Sequence, residues 1–173
     1  YSGNVTGKHG GGIANTCTAC KFSDVSFDGN VTSISAGGIA ENASGEFDNV
    51  RVNVISENSS ASGYTDIETW GGLIGSVTGT TTIKNSNIVS KLLSTSNEDK
   101  NLDMWIGGVI GINNSSLNIH HTVVNNVTDL KFLHADNNCD IYYSGLVGRA
   151  SYSDKKININ EVNQQTKLIA NPN

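Results

Sequence analysis

The sequence predicts an all-β fold, a parallel β-helix or β-solenoid of about five coils. Three observations predict it. A glycine-rich segment recurs five times, branched aliphatic residues follow each copy in fixed columns, and a second strand-like pattern follows each of those. Coils that cannot bury an apolar face alone can bury it against their neighbours, and stacking puts equivalent side chains in equivalent environments. Parallel crossover connections are right-handed by default, so a right-handed coil is the expectation.

The fullest glycine segments are Gly71-Gly72-Leu73-Ile74-Gly75 and Gly107-Gly108-Val109-Ile110-Gly111. Ser144-Gly145-Leu146-Val147-Gly148 changes one position, and Gly11-Gly12-Ile13-Ala14 and Gly37-Gly38-Ile39-Ala40 lack the last glycine. Measured between the second glycines (Gly12, Gly38, Gly72, Gly108 and Gly145), the spacings are 26, 34, 36 and 37 residues. The next column is Ile13, Ile39, Leu73, Val109 and Leu146, which predicts one core ladder. A glycine supplies either a left-handed backbone or close approach of a second backbone. Two apolar residues in succession after the pair suggest a strand covered on both faces.

The second pattern begins at Phe22, Phe47, Ile83, Ile119 and Ile159, which predicts a second core ladder. In Phe22-Ser23-Asp24-Val25-Ser26-Phe27 the last step alternates as a half-buried strand does. The two polar residues after Phe22 break that alternation and predict a corner, where Asn and Asp tolerate left-handed backbone. Asp24 and Asp48 read as near-equivalent corner residues, followed by Asn85 and His121. A helical reading fails, because Ala, Leu and Glu are scarce while Gly, Asn and β-branched residues are frequent.

Long polar segments precede three of the glycine pairs, at Glu57–Thr69, Ser94–Asp103 and His134–Asp140, whereas Thr32–Ala36 is short. Insertions at one corner of a solenoid fall on one side of it, often the binding side. Aromatic residues cluster where these segments meet the glycines: Tyr64, Trp70, Trp105, Tyr142 and Tyr143. They form the candidate binding face, for a glycan or for a host or cell-surface protein. In the glycine register Trp70 shares a column with Tyr143, and Trp105 with Tyr142; the two columns point to opposite strand faces. The competing reading is that these rings cover the core at the roots of the loops, since aromatic side chains dominate burial.

The 173 residues suffice for one domain, taken as 1–173, and the chain opens in mid-repeat, as a fragment of a longer one would. A net charge of −5 and only two arginines, Arg51 and Arg149, leave no basic patch for nucleic acid. No apolar run approaches the roughly 20 residues of a membrane span.

No catalytic, cofactor or metal site is expected. The acidic residues lie mostly in the variable segments (Glu57, Asp66, Glu68, Glu98, Asp99, Asp103, Asp136 and Asp140) and form no repeated column of proton-transfer groups. Asp136 with Asp140 is a weak calcium candidate, without the spacing of a known loop. His120 and His121 are adjacent on a strand and face opposite ways, so they do not chelate one ion. Cys17 and Cys20 form a C-x-x-C with no second ligand pair for zinc, which leaves a local disulfide or two free thiols; Cys139 is the third cysteine. Glycosylation sequons occur at Asn4, Asn30, Asn42, Asn58, Asn113, Asn114 and Asn126. Chance placement of 23 Asn against 34 Ser and Thr gives roughly 4 to 5, so seven is a mild excess.

These segments resemble the GLUG repeat family, whose motif is a short GGLxG-like segment, a polar turn and a second strand with an Asn-Ser corner. Gly71–Gly75 with Ile83-Lys84-Asn85-Ser86 matches best, and Gly107–Gly111 with Ile119–Thr122 next. Ser144–Gly148 keeps the first half, while Asn15 and Glu41 stand where the first two copies lack the last glycine. Gly11-Gly12-Ile13 also resembles the GGxI repeats of polymorphic autotransporter-like surface proteins, whose FxxN companion has no clean copy here. The resemblance implies an extracellular or cell-surface β-solenoid, part of a larger adhesin or surface protein, and implies no catalytic residues.

The expected function is therefore a non-enzymatic structural or adhesive module of a surface protein or filament. Solenoid ends expose strand edges that must be capped or paired. Self-association or flanking repeats would cover them. The alternative is a carbohydrate-binding or carbohydrate-cleaving β-helix that uses the loop side.

Overall fold

The computed structural model describes residues 1–58, 68–96, 104–132, 141–151 and 154–172. Within them the chain is all-β, with sixteen strands in parallel pairing. In order they are β1 (Ser2–Thr6), β2 (His9–Gly11), β3 (Ala14–Ser23), β4 (Ser26–Ser33), β5 (Ser35–Gly37) and β6 (Ala40–Asp48). Next come β7 (Arg51–Asn58), β8 (Glu68–Gly71), β9 (Ile74–Lys84), β10 (Asn87–Ser96), β11 (Met104–Gly107) and β12 (Ile110–Asn113). The last four are β13 (Leu117–Phe132), β14 (Ile141–Ser144), β15 (Val147–Ala150) and β16 (Ile157–Pro172).

The strands stack in three columns that repeat once per coil. Face A is short and consists of β2, β5, β8, β11 and β14. Face B carries β3, β6 and β9, continued by β12 with the start of β13, and by β15 with the start of β16. Face C carries β1, β4, β7, β10 and the second halves of β13 and β16. The fold is thus the parallel solenoid that the repeats predict, with five coils and one additional strand, β1, on face C.

Both predicted ladders form, except that Ile159 at the end of the second is in register but exposed rather than in the core. Ile39, Leu73 and Val109 are fully buried, with Ile13 and Leu146 partly buried in the outermost coils. Their amides hydrogen-bond from coil to coil, Ile39 to Leu73 and Leu73 to Val109 at 2.9 Å each. Phe22, Phe47, Ile83, Ile119 and Ile159 are in direct register. The Phe22 and Phe47 rings stack at 5.2 Å, so a face-to-face contact extends the ladder upward.

The two principal corners are turned by opposite means. At the corner from A to B, no glycine of the repeated pair has a left-handed backbone. Space is the requirement instead. A methyl group on Gly38, Gly72 or Gly108 would sit 2.1–2.2 Å from the carbonyl oxygen of the second glycine in the next coil. Side chains from face C close the other side, with Val52 over Gly38 and Ser90 over Gly72.

At the corner from B to C the backbone is left-handed in every coil, at Asp24, Asn49, Asn85, His121 and Glu161, with φ of 47–56°. Asn and Asp accept this conformation because a short polar side chain bonds locally. The true corner column therefore runs Asp24, Asn49, Asn85. Asp48 is not the counterpart of Asp24; it pairs with Ser23 and Lys84, one position earlier. The Asn49 amide donates to Asp24 at 2.7 Å, and that of Asn85 to Asp48 at 2.9 Å. Just past the corner, the Ser86 hydroxyl donates to the Lys84 carbonyl at 2.8 Å and accepts from the Val50 amide at 3.2 Å.

Gly72→Ala should lower the urea midpoint strongly, by about 3 kcal/mol or more of stability, because the clash is with backbone that cannot swing aside. Gly7→Ala, where the nearest atom is 3.6 Å away, should change it little. Equal effects of the two substitutions would contradict this account of the corner.

Candidate functional site

Face A places most of the aromatic residues singled out above, and it is an inner layer. One of its side-chain rows is Gly10, Ala36, Trp70, Ile106 and Tyr143. This row faces C: a methyl group on Gly10 would meet Val31 at 2.7 Å, and the Tyr143 hydroxyl donates to Asn126 Oδ1 at 3.3 Å. The other row holds Ser35, Thr69, Trp105 and Tyr142, with His9 at its top. It faces the start of B: His9 lies 3.5 Å from Glu41, and the Arg149 guanidinium sits 4.4 Å over the Trp105 ring.

Sheet parity therefore separates the two tryptophans as expected, but both sides of face A are covered. Trp70 is 2% and Trp105 6% exposed, so neither offers a binding surface, and the candidate face is corrected accordingly. Neither indole nitrogen has an acceptor among the described residues. Tyr143 is partly buried against the core, Tyr142 is 43% exposed, and Tyr64 lies outside the described residues. What remains exposed at this edge is Tyr142, the coil neighbour of Trp105, together with Arg149, whose guanidinium lies over the Trp105 ring.

The acidic residues sort in the same way. Asp66, Glu98, Asp99, Asp103, Asp136 and Asp140 lie outside the described residues, as does Cys139. Glu68 is buried at the start of β8, whereas Glu57 is exposed on β7. Sequence reasoning missed a partly exposed ion network on face B. Lys84 reaches Glu46 at 2.6 Å and Asp48 at 3.3 Å, and Lys21 approaches Glu46 at 3.9 Å. Hydrogen bonding and charge from Lys84 lower the pKa of Glu46, the Asn85 amide and then Lys84 lower that of Asp48, and both carboxylates raise that of Lys84. Period-2 counting along β6 and β9 would have exposed this network once the register was known, since Glu46 faces Thr82 and Asp48 faces Lys84. His121 pairs with Glu161 at 2.7 Å across the left-handed corner. Among the described residues, no three His, Cys, Asp or Glu side chains converge as metal ligands would.

Glu41 is a buried carboxyl. Burial raises its pKa, opposed by His9 and by the amide of Asn42. Its ionised form is thus penalised in the folded chain.

Cys17 and Cys20 are disulfide-bonded on β3, where the register against β6 shifts. Ala19 between them is left-handed, and its amide donates to Ser44 Oγ at 3.0 Å.

The sequons divide by location. Asn4 and Asn30 are exposed neighbours on face C, and Asn42 and Asn114 are partly buried. Asn58 ends β7. Asn113 and Asn126 are buried and bonded: Asn113 donates to the Ser115 carbonyl at 2.7 Å, and Asn126 donates to Ser90 Oγ at 2.8 Å. The Thr128 hydroxyl of the same sequon donates to Asn126 Oδ1 at 3.1 Å. In the folded chain these two asparagines are interior struts rather than modification sites.

Comparison of the chain with family models, with curated proteins and with solved structures finds no match.

Trp70→Ala should cost about 3–5 kcal/mol in chemical unfolding, as aromatic core truncations do, whereas Tyr142→Ala should cost about 1 kcal/mol or less. Similar losses would place the two rings in similar surroundings and contradict the two-sided covering of face A. For Glu41 the sign follows from the raised pKa. Its stabilising share is complete below the unfolded value of 4.5 and is lost as pH rises through the higher folded value. Glu41→Gln should therefore gain stability relative to the parent as pH rises from 4 towards neutrality, read from thermal midpoints across pH. A difference that stays flat with pH would remove Glu41 from this role.

Proposed function

We propose that the chain is a non-enzymatic structural or adhesive module of an extracellular or cell-surface protein or filament, of the GLUG-repeat kind. One observation carries this reading: the positions that recur in every coil are all committed to stacking. The glycine pair makes room for the next backbone, two ladders fill the core, and the left-handed corner binds its neighbour through side-chain amides. Segments 59–67, 97–103 and 133–140 each join face C to face A, so their anchored ends lie at one corner of the solenoid. A recognition surface for a glycan or a cell-surface protein would be built there.

Stacking on further coils, of the same chain or of neighbouring copies, fits the outermost described coil. Ile159 is 49% exposed although its ladder partner Ile119 is fully buried. Sedimentation velocity over a concentration series tests the second of these modes. Reversible association weakened by Ile159→Lys is expected; a strictly monomeric chain would leave only stacking within one chain.

A carbohydrate-binding reading is favoured by one observation, the exposed ring of Tyr142 at the end of face A. A glycan array run with the parent and with Tyr142→Ala separates the two functions. The structural or adhesive reading expects Tyr142→Ala to leave any glycan retention unchanged. Binding that is lost in Tyr142→Ala would replace it with carbohydrate recognition.

A further inference from the structure

We propose that the interior of the third and fourth coils contains a binding site for a single structural water, held by the Trp70 indole and the hydroxyl-bearing columns of face C. Between faces A and C lies a cavity of about 10 Å³ whose lining includes Ser56, Trp70, Ser90, Leu92, Ile106 and Asn126. That volume is close to the minimum that admits one water and too small for any organic ligand. The lining is mixed, with aliphatic side chains on some sides and a hydroxyl, a carboxamide and an indole on others.

Polar bookkeeping points to what fills it. Trp70 Nε1 is fully buried and has no acceptor among the described residues. Asn126 Oδ1 is already engaged by two donors, Thr128 Oγ1 at 3.1 Å and the Tyr143 hydroxyl at 3.3 Å. Ser90 Oγ accepts from Asn126 Nδ2 at 2.8 Å, and a hydroxyl carries a proton to donate and a second lone pair besides. Ser56 adds a second hydroxyl to the lining. A water here accepts from the indole and exchanges hydrogen bonds with the serines, which gives it the two to four partners that a buried water takes. The columns show why the third coil needs it. Across from Gly10, Ala36 and Trp70 on face A, face C carries Val31, then Ser56, then Leu92 in one row, and Val54 then Ser90 in the next. Trp70 stands across from Leu92, whereas Ala36 and Ser56 one coil earlier are both small, so the space beside the indole is bordered by the hydroxyls of Ser56 and Ser90.

The test is water-to-amide cross-relaxation by NMR on the intact chain, with the Trp70 indole proton assigned by its absence in Trp70→Phe. The expected result is a direct cross-peak between that proton and water, with the sign of a long-lived bound molecule. Ser56→Val should abolish it. Valine suits that strand position, which lies between Val31 and Leu92, and its methyl groups would occupy the cavity. A high-resolution crystal structure of the parent should show one ordered oxygen within hydrogen-bonding reach of Trp70 Nε1. The proposal is overturned if the parent shows no cross-peak, if the cross-peak survives unchanged in Ser56→Val, or if the crystal shows a dry cavity or a protein acceptor on the indole. Should Ser56→Val fail to fold, the parent's spectrum and crystal structure decide the matter without it.

Discussion

The contact on which the rest of this structure depends is the near-touching of backbones at the second glycine of each repeat. Carbonyl oxygens there lie where a neighbouring methyl group would otherwise be, at Gly12, Gly38, Gly72 and Gly108 in turn. This contact sets how the coils superimpose. Once those positions are stacked, Ile39, Leu73 and Val109 stack as well, and the Phe22-to-Ile159 ladder follows along the same strands. A repeat protein of this kind is close to one-dimensional, with each coil stabilised by the coils beside it. The burial gradient agrees, since the ladders are sealed in the second to fourth coils and partly open in the first and fifth.

The core also solves a volume problem. Face A widens down the stack from Gly10 through Ala36 to Trp70, face C runs Val31, Ser56 and Leu92 across from them, and Ser56 and Ser90 border the space left beside the indole. Polar interior groups are costly unless bonded. Asn126 is bonded to Ser90, Thr128 and Tyr143, which ties β13 to β10 and to face A through side chains as well as through the sheet.

Much of the fold was legible because stacking writes columns into the sequence. The glycine and aliphatic columns, the second ladder and the polar corner were all readable from spacing. Three features were not. Adjacent Trp and Tyr residues revealed which strand face each ring takes, but not that face A is covered on both sides; that depends on how B folds back over A. Asp24 and Asp48 looked equivalent because each lies within two residues of its ladder phenylalanine, Phe22 or Phe47, and only hydrogen-bond register separates them. The buried sequons at Asn113 and Asn126 carry the same local pattern as exposed Asn4 and Asn30, so the tripeptide cannot report which way the side chain points. For Asn126, counting by twos from buried Val124 would have placed it inside.

Length variation in this chain is concentrated at one junction. A single residue, Ile34, joins β4 to β5, whereas 59–67, 97–103 and 133–140 make the equivalent connection in later coils. The flanking strands are held in the same lattice whatever the connection between them. The framework is accordingly modular in a practical sense: one connecting segment could be exchanged for another, or for a foreign peptide, without altering the registration of the sheets. Surface diversity and mechanical continuity are then under separate control within one polypeptide.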